Sequence, residues 1–159
     1  MRIVICFLVA VLANAQEKKV TKKEVPAAVI SAFQKAYPEA KIKGYAKEIE
    51  EGKTYFEIES MNGKASLDAL YLADGTVAEV EESIAPSALP SPVSDAVSAK
   101  HSGAKIVKAE RTTHGNAVTY ELRVTAGKTK MSMMVDPSGK VVKESKAGAK
   151  KEEKEERED

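Results

Sequence analysis

The stretch Ala40-Lys41-Ile42 recurs as Ala104-Lys105-Ile106, 64 positions later, and this repetition decides the fold. Other pairs keep the same spacing: Pro26 and Pro90, Val29 and Val93, Ala32 and Ala96, Glu57 and Glu121, Gly63-Lys64 and Gly127-Lys128, and Gly75 and Gly139. Chance matches scatter over many spacings, so matches that share one spacing indicate two copies of a single structural unit.

Each copy begins with a helical pattern. In the first copy the apolar residues fall at helical spacing between Pro26 and Pro38: Val29, Ala32, Phe33, Ala36 and Tyr37. This spacing predicts one apolar stripe on a helix that starts at a proline and ends before the next. In the second copy Lys100 and His101 replace the last two apolar residues, which predicts a shorter helix.

After each helix the apolar residues alternate with polar ones, as on a strand with one buried face. Phe56 and Ile58, for example, alternate with Tyr55 and Glu57. Turns such as Asn62-Gly63 separate the alternating stretches and favour tight hairpins. The predicted strands lie near residues 40–50, 53–61, 64–73 and 76–83, and near 104–113, 117–125, 128–136 and 140–145. Each copy is therefore predicted to be a helix packed on a four-stranded antiparallel meander, in an α+β fold.

The N-terminus has the three features of a signal peptide. Arg2 provides a positive charge, Ile3–Leu12 is a short apolar run, and Ala13-Asn14-Ala15 is a cleavage site before Gln16. The alternatives are an uncleaved anchor or a buried helix. Cleavage near Ala15/Gln16 would export the chain to the periplasm or outside the cell. It would also remove Cys6, the only cysteine, and leave a mature chain without a membrane span.

The composition divides the chain into predicted regions. The predicted regions are a signal peptide (1–15), a flexible segment (16–23), a first unit (24–84), a linker rich in Pro and Ser (85–92), a second unit (93–145) and a charged, disordered tail (146–159). Residues 24–84 carry six Lys against twelve Asp and Glu, whereas residues 88–145 carry nine Lys and Arg against five Asp and Glu. Neither half has the dense basic stripe of a nucleic-acid-binding protein.

Several motifs of the first copy resemble the PepSY-like domain family. They are a helix ending in Ala-Tyr-Pro38, the strand Gly52-Lys-Thr-Tyr-Phe-Glu-Ile-Glu59, and the turn and strand Ala73-Asp-Gly-Thr-Val-Ala-Glu-Val-Glu-Glu82. The resemblance implies the fold of the beta-lactamase-inhibitor protein, in which two tandem units form one curved sheet with one open face. It implies no catalytic residues. The second copy lacks the Tyr-Pro helix end and the Asp of the Asp-Gly turn.

Catalytic chemistry finds little support in the sequence, so no catalytic residue, metal ligand or cofactor is predicted. The two histidines, His101 and His114, have no metal-ligand residue three or four positions after them, and no phosphate-binding loop or nucleophile elbow occurs. A set of carboxylates suggests calcium: Glu48, Glu50, Glu51, Glu57 and Glu59. Alternate residues of one strand, such as Glu57 and Glu59, lie along a line rather than around an ion. We interpret them as part of a solvated sheet face.

That open face is the predicted binding site, because recognition surfaces combine aromatic, apolar and charged side chains. The residues predicted to form it are Tyr55, Glu57, Glu59, Asp68 and Leu70 in the first unit, and Thr119, Glu121, Arg123 and Met134 in the second. The predicted function is a non-enzymatic binding module that recognises an unidentified exported protein or peptide, in an inhibitor-like manner in one form. The alternative is a small-molecule or cation sensor or carrier of the cell envelope. A purely structural, self-assembling role also remains open.

Overall fold

The structure, a computed structural model, describes residues 17–50 and 52–146. Within these residues the strands are β1 (Lys18–Lys19), β2 (Lys41–Glu50), β3 (Lys53–Asn62), β4 (Ala65–Tyr71), β5 (Val77–Ile84), β6 (Lys105–His114), β7 (Ala117–Ala126), β8 (Thr129–Val135) and β9 (Val141–Lys146). The α-helices are α1 (Ala27–Ala36) and α2 (Ser91–Lys100), and short 3-10 helices lie at Lys22–Glu24 and Pro86–Ala88. The predicted signal peptide lies outside the described residues, as does the predicted tail beyond Lys146.

All of these strands form one open antiparallel sheet in which each strand pairs with the next along the chain, from β1 to β9. The register irregularities also repeat, since β2 is interrupted between Ile42 and Gly44 and β6 between Ile106 and Lys108. The predicted strand positions agree with the observed ones to within two residues. The β5–β6 pair, which we call the seam, joins the two halves of the sheet by continuous pairing.

Both helices pack on the same face of the sheet. Val29 and Phe33 of α1 belong to one buried cluster, and Val93 and Val97 of α2 belong to a second. On β5, Val80 packs against the first cluster and Ile84 against the second. Side chains four residues apart on a strand point to the same side. The opposite face, which we call the open face, is therefore uncovered by the described residues.

Two glycines fix how each helix meets the sheet. Gly75 and Gly139 close the β4–β5 and β8–β9 turns with φ of 87° and 88°, a conformation that favours glycine. A Cβ on Gly75 would lie 2.8 Å from the carbonyl oxygen of Ala28, and one on Gly139 would approach that of Pro92 still more closely. The turns therefore pack directly on the first turn of each helix.

The prediction that the second helix is shorter is wrong, because α1 and α2 each contain 10 residues. Polar contacts replace the missing apolar ones at the end of α2. The Nζ of Lys100 lies 2.6 Å from a carboxylate oxygen of Glu144 on β9, and the Nε2 of His101 lies 2.9 Å from the other. Glu144 is too distant in sequence for helical periodicity to reveal this anchor.

The ends of the predicted regions also differ from the observed elements. The segment predicted to be flexible contains β1 and the start of a 3-10 helix, which Thr21 caps by donating its backbone N–H to Glu24 Oε2 at 2.8 Å. A strand of two residues is too short to show alternation. The predicted linker runs into α2, which begins at Ser91. No helix among the described residues is long and apolar enough to cross a membrane.

Candidate functional site

Every predicted binding residue lies on the open face. Within the first half, Glu57 lies opposite Leu70 and Glu59 lies opposite Asp68, so β3 and β4 bring these side chains together. The second group lies on β7 and β8, where Glu121 is opposite Met134. The strands of the seam separate the two groups. The structure thus forms two clusters on one face rather than one continuous site.

The first cluster is larger and more acidic than the sequence analysis predicted. A depression of about 320 Å³ opens on this face. Its lining residues are Glu48, Glu57, Asp68, Ala69, Leu70, Glu79 and Glu81. Three of these carboxylates, Glu48, Glu79 and Glu81, were not among the predicted site residues. For Glu79 and Glu81, the alternation with Val80 was the sequence signal that could have placed these two residues on this face.

Crowding on this face favours the neutral form of several carboxyl groups. Burial, followed by the nearby charges of Glu48 and Asp68, raises the pKa of Glu57 to about 7. Burial is also the main cause that raises the pKa of Glu48 and of Asp68. It raises the pKa of Glu79 as well, although His114 acts in the opposite direction. The acidic depression therefore holds protons at a pH where isolated carboxyl groups are ionised.

A second set of carboxyl groups meets at the seam. Glu110 of β6 is buried, with an exposed fraction of 9%, and its carboxylate forms an ion pair with Lys108. Burial, followed by the charge of Glu110 and a hydrogen bond to it, raises the pKa of Glu81 to about 7. The acidic surface of the first half therefore extends across the seam into the second half.

Beyond the seam the charge of the open face reverses. At positions related by the repeat, Arg123 stands where the first half has Glu59, and Lys143 stands where it has Glu79. Arg123 is exposed on β7, opposite Lys108. The unequal charge of the two halves, which was visible in the sequence, is thus also a charge difference across one continuous surface.

Three carboxylates at the edge of the open face could approach a cation. Glu17, Glu57 and Glu59 each place a carboxylate oxygen within 4.8 Å of the others. The Nζ of Lys19 lies 3.8 Å from Glu59 and already supplies positive charge there. Glycine at position 44 leaves room for Glu59, because a Cβ there would lie 2.7 Å from its Oε2.

The two histidines lie on opposite sides of the sheet. His101 contacts Glu144 beside α2, on the helix face. On the open face, the Nδ1 of His114 lies 3.6 Å from a carboxylate oxygen of Glu79. Within residues 17–50 and 52–146, neither imidazole is hydrogen-bonded to a serine or threonine hydroxyl. What this arrangement offers chemically is a charged surface on which the half-buried side chains of Tyr55, Leu70 and Met134 add apolar contacts.

Comparison with known proteins places the chain in a family. The family described as "Putative beta-lactamase-inhibitor-like, PepSY-like" matches residues 11–71 and 54–143. These matches overlap, and their ends do not coincide with those of the predicted units. A comparison with curated proteins found no match.

Solved structures of low sequence identity share the fold. A DUF2874 family protein from Bacteroides uniformis has 18% identity and a TM-score of 0.62, covering 77% of this chain and 89% of its own. A protein from Bacteroides eggerthii, described among "putative periplasmic proteins", has 16% identity and a TM-score of 0.63, with coverages of 77% and 88%. A BLIP-like protein from Bacteroides fragilis has 19% identity and a TM-score of 0.59, with coverages of 77% and 86%. Because the family matches extend from residue 11 to residue 143, the chain belongs to the PepSY-like, beta-lactamase-inhibitor-like family.

Proposed function

We propose that this chain is an exported, non-enzymatic binding protein whose open face recognises a cationic segment of another exported protein or of a peptide. The observation that carries the proposal is the acidic depression on an uncovered sheet face. Carboxyl groups line it from β2 to β5, and no described element packs over them. A lysine- or arginine-bearing segment would relieve the repulsion between these like charges.

The apolar side chains on this face add a second kind of contact. Tyr55 and Leu70 are half-buried beside the carboxylates and leave part of their surface to solvent. Lysine and arginine pack their aliphatic stems on apolar surface while their charged ends reach acidic groups. A cationic segment in extended conformation therefore fits this face better than an acidic or purely apolar one.

Export is supported by the signal-peptide pattern of residues 1–15 and by the similar structure described as periplasmic. The names of the family and of the BLIP-like structure support an inhibitor-like form of binding, with an exported hydrolase as the partner. We also interpret residues 24–84 and 93–145 as two tandem copies of one unit within a curved sheet. The shared spacing of 64 positions supports this.

A direct test is calorimetric titration with a lysine decapeptide at low ionic strength and pH 8, where the carboxyl groups are ionised. The variant Asp68→Asn/Glu79→Gln removes two charges from the depression. The variant Glu39→Gln/Asp95→Asn removes two charges from exposed sites elsewhere and is the matched control. We expect the first variant to weaken binding about fivefold, since exposed ion pairs each contribute about 0.2–1 kcal/mol.

The control variant is expected to bind as the wild type does, and a glutamate decapeptide is expected not to bind. Equal weakening by both double variants would show that only net charge matters and would contradict a site on the open face. Binding that does not weaken with added salt would also contradict the proposal, because salt screens exposed ion pairs.

A second candidate function, cation sensing, rests on the approach of Glu17, Glu57 and Glu59 to within 4.8 Å of one another. A ligand that binds only the folded state raises its stability. Millimolar calcium should then raise the unfolding temperature of the wild type but not of Glu59→Gln, at matched ionic strength. A rise in both proteins would exclude this group as the cause.

A further inference from the structure

The structural repeat extends upstream of the predicted first unit and includes β1. At the spacing of 64, the first 3-10 helix corresponds to the second, and β1 corresponds to the end of β5. Lys18 of β1 lies opposite Lys47 on β2. The residues 64 positions later, Glu82 and Arg111, lie opposite each other at the seam. β1 therefore pairs with β2 as the end of β5 pairs with β6.

β9 is the equivalent of the first part of β5. It pairs with β8 as β5 pairs with β4, and the register shifts at corresponding places, Leu70/Tyr71 and Met134/Val135. One side of β5 continues into the second half by pairing with β6, whereas among the described residues β9 pairs with β8 alone. The two parts that are joined in β5 therefore stand apart at the two ends of the sheet, as β9 and β1.

β1 covers only part of the edge of β2. It pairs with Ala46 and Lys47. Ile49 and Glu50 lie beyond it, and within residues 17–50 and 52–146 they pair with β3 alone. Ile49 is 44% exposed, although its side chain is large and apolar. An unpaired strand edge presents backbone N–H and C=O groups to which another strand can bind.

We infer that the protein associates head to tail, with β9 of one copy pairing with the uncovered end of β2 of the next copy as β5 pairs with β6 at the seam. β9 and the next copy's β1 then form a composite strand equivalent to β5. The register of the seam places Lys143 opposite Glu50 and covers the backbone of Ile49. The counterparts of this charged pair, Glu79 and His114, also bring an acidic and a basic side chain together, at 3.6 Å.

The seam shows that two such units fit side by side. At the contact between copies, each element takes the place of its equivalent at the seam. β1 and α1 of the next copy stand where the end of β5 and α2 stand within one chain. Glu17 of the next copy corresponds to Ser145 of β9, so the composite strand is divided at this position. Glu17 is exposed and precedes β1, and it is the residue that β9 displaces.

The charges of the two halves favour this pairing over the symmetric alternatives. Residues 24–84 carry six Lys against twelve Asp and Glu, and residues 88–145 carry nine Lys and Arg against five Asp and Glu. Pairing of β9 with β2 brings the basic half of one copy to the acidic half of the next, whereas β9–β9 or β2–β2 pairing brings like charges together. A contact between two different surfaces continues into rings or open chains. It involves the sheet edges and does not depend on the proposed binding function.

Cysteine cross-linking tests the contact directly. Cys6 is the only cysteine, so the chain without its predicted signal peptide (16–159) has no thiol of its own. Two single variants, Lys143→Cys and Glu50→Cys, are mixed under mild oxidation. Residues directly opposite on antiparallel strands have Cα atoms about 4.5–5.5 Å apart, a distance that a disulfide can span. We expect the mixed disulfide to be the main product and each variant alone to give little dimer.

Lys128→Cys is the matched control for Lys143→Cys. Lys128 is an exposed lysine of the same half, but it lies in the β7–β8 turn and not on β9. When it is mixed with Glu50→Cys, it should give no more mixed disulfide than random collisions between the two proteins.

Sedimentation velocity over a range of concentrations measures the association itself. The wild-type chain should form species larger than the monomer as its concentration rises. Lys143→Glu should weaken each contact by about tenfold, because it replaces an ion pair with two like charges. Glu50→Lys should have the same effect, and an equimolar mixture of the two variants should regain association because each contact again holds opposite charges. Lys128→Glu makes the same charge change outside β9 and should associate as the wild type does.

A wild-type chain that stays monomeric at every concentration would overturn the inference. So would a yield of mixed disulfide no higher than that of the control pair. Cross-linking of Lys143→Cys mainly to itself would also overturn it, since the contact would then be a symmetric one through β9.

Discussion

The two halves of the sheet have the same buried positions but present different surfaces. Buried residues on the helix face correspond at a spacing of 64: Phe56 and Tyr120, Ile58 and Leu122, Leu67 and Met131, Ala69 and Met133, and Tyr71 and Val135. On the open face the corresponding residues change charge, as Glu59 does to Arg123 and Glu79 to Lys143. Packing restricts the first set to apolar side chains, whereas solvent leaves the second set free to change. Similarity between the halves is therefore a property of the buried positions and does not extend to the open face.

The largest expected effect tests the contact between turn and helix that both halves share. Gly75→Ala and Gly139→Ala should each lower the free energy of unfolding by about 2–4 kcal/mol, because both glycines have positive φ and lie against a helix carbonyl. Gly63→Ala and Gly127→Ala are the matched controls, with positive φ but open space around the added Cβ. These two control variants should lower the free energy of unfolding by only about 1 kcal/mol.

Chemical denaturation measures these four values. Similar losses for Gly75→Ala and Gly139→Ala would mean that both turns are seated on their helices in the same way. A loss confined to one of them would break the comparison, since only one half would then depend on this contact.

A smaller effect distinguishes the two halves of the open face. Glu57 and Glu121 are related by the repeat, but only Glu57 lies in the acidic depression, where its pKa is raised to about 7. Its folded form keeps a proton that the unfolded chain releases above pH 4.5, so wild-type stability falls as the pH rises through this window. Glu57→Gln should therefore stabilise the protein at pH 8, by about 1 kcal/mol once solvent screening is allowed for.

The gain from Glu57→Gln should shrink as the pH is lowered from 8 towards 4, because protonated glutamate and glutamine are both neutral. Glu121→Gln, at an exposed site, should change stability by less than about 0.5 kcal/mol at any pH. Unfolding curves at several pH values provide the comparison. A gain that does not depend on pH would indicate a packing effect rather than relief of charge repulsion.

The elements and faces of the sheet could be predicted from the sequence, but the arrangement of charges on the open face could not. The strands and the two faces follow from alternation, so the side on which Tyr55 lies could be predicted from Phe56 and Ile58 alone. The depression was not predicted, although the predicted meander already makes the strands β2 to β5 neighbours. Glu48, Asp68 and Glu81 come from three strands, and the register of each strand pair decides which of their side chains meet.

The contact between Glu82 on β5 and Arg111 on β6 was equally hidden. It crosses the seam between the halves, and the composition of the predicted linker gave no indication that β5 and β6 pair. The anchor of α2 on Glu144 was missed for the same reason, since both contacts join residues far apart in sequence. Local patterns predict elements and faces, and long-range pairing decides which charges meet.

The smallest effect concerns a position at which the halves differ in polarity. Thr112 replaces Glu48 of the first half, and among the described residues its buried Oγ1 has no hydrogen-bond partner. Thr112→Val keeps the β-branched shape suited to a strand and removes the unpaired hydroxyl, so it should raise the free energy of unfolding by about 0.5–1 kcal/mol. Thr119→Val, directly opposite on β7, is the control and should give no gain. If Thr112→Val destabilises the protein, the hydroxyl has a hydrogen-bond partner such as water. A gain would instead show that the second half tolerates an unsatisfied polar atom where the first half presents a carboxylate.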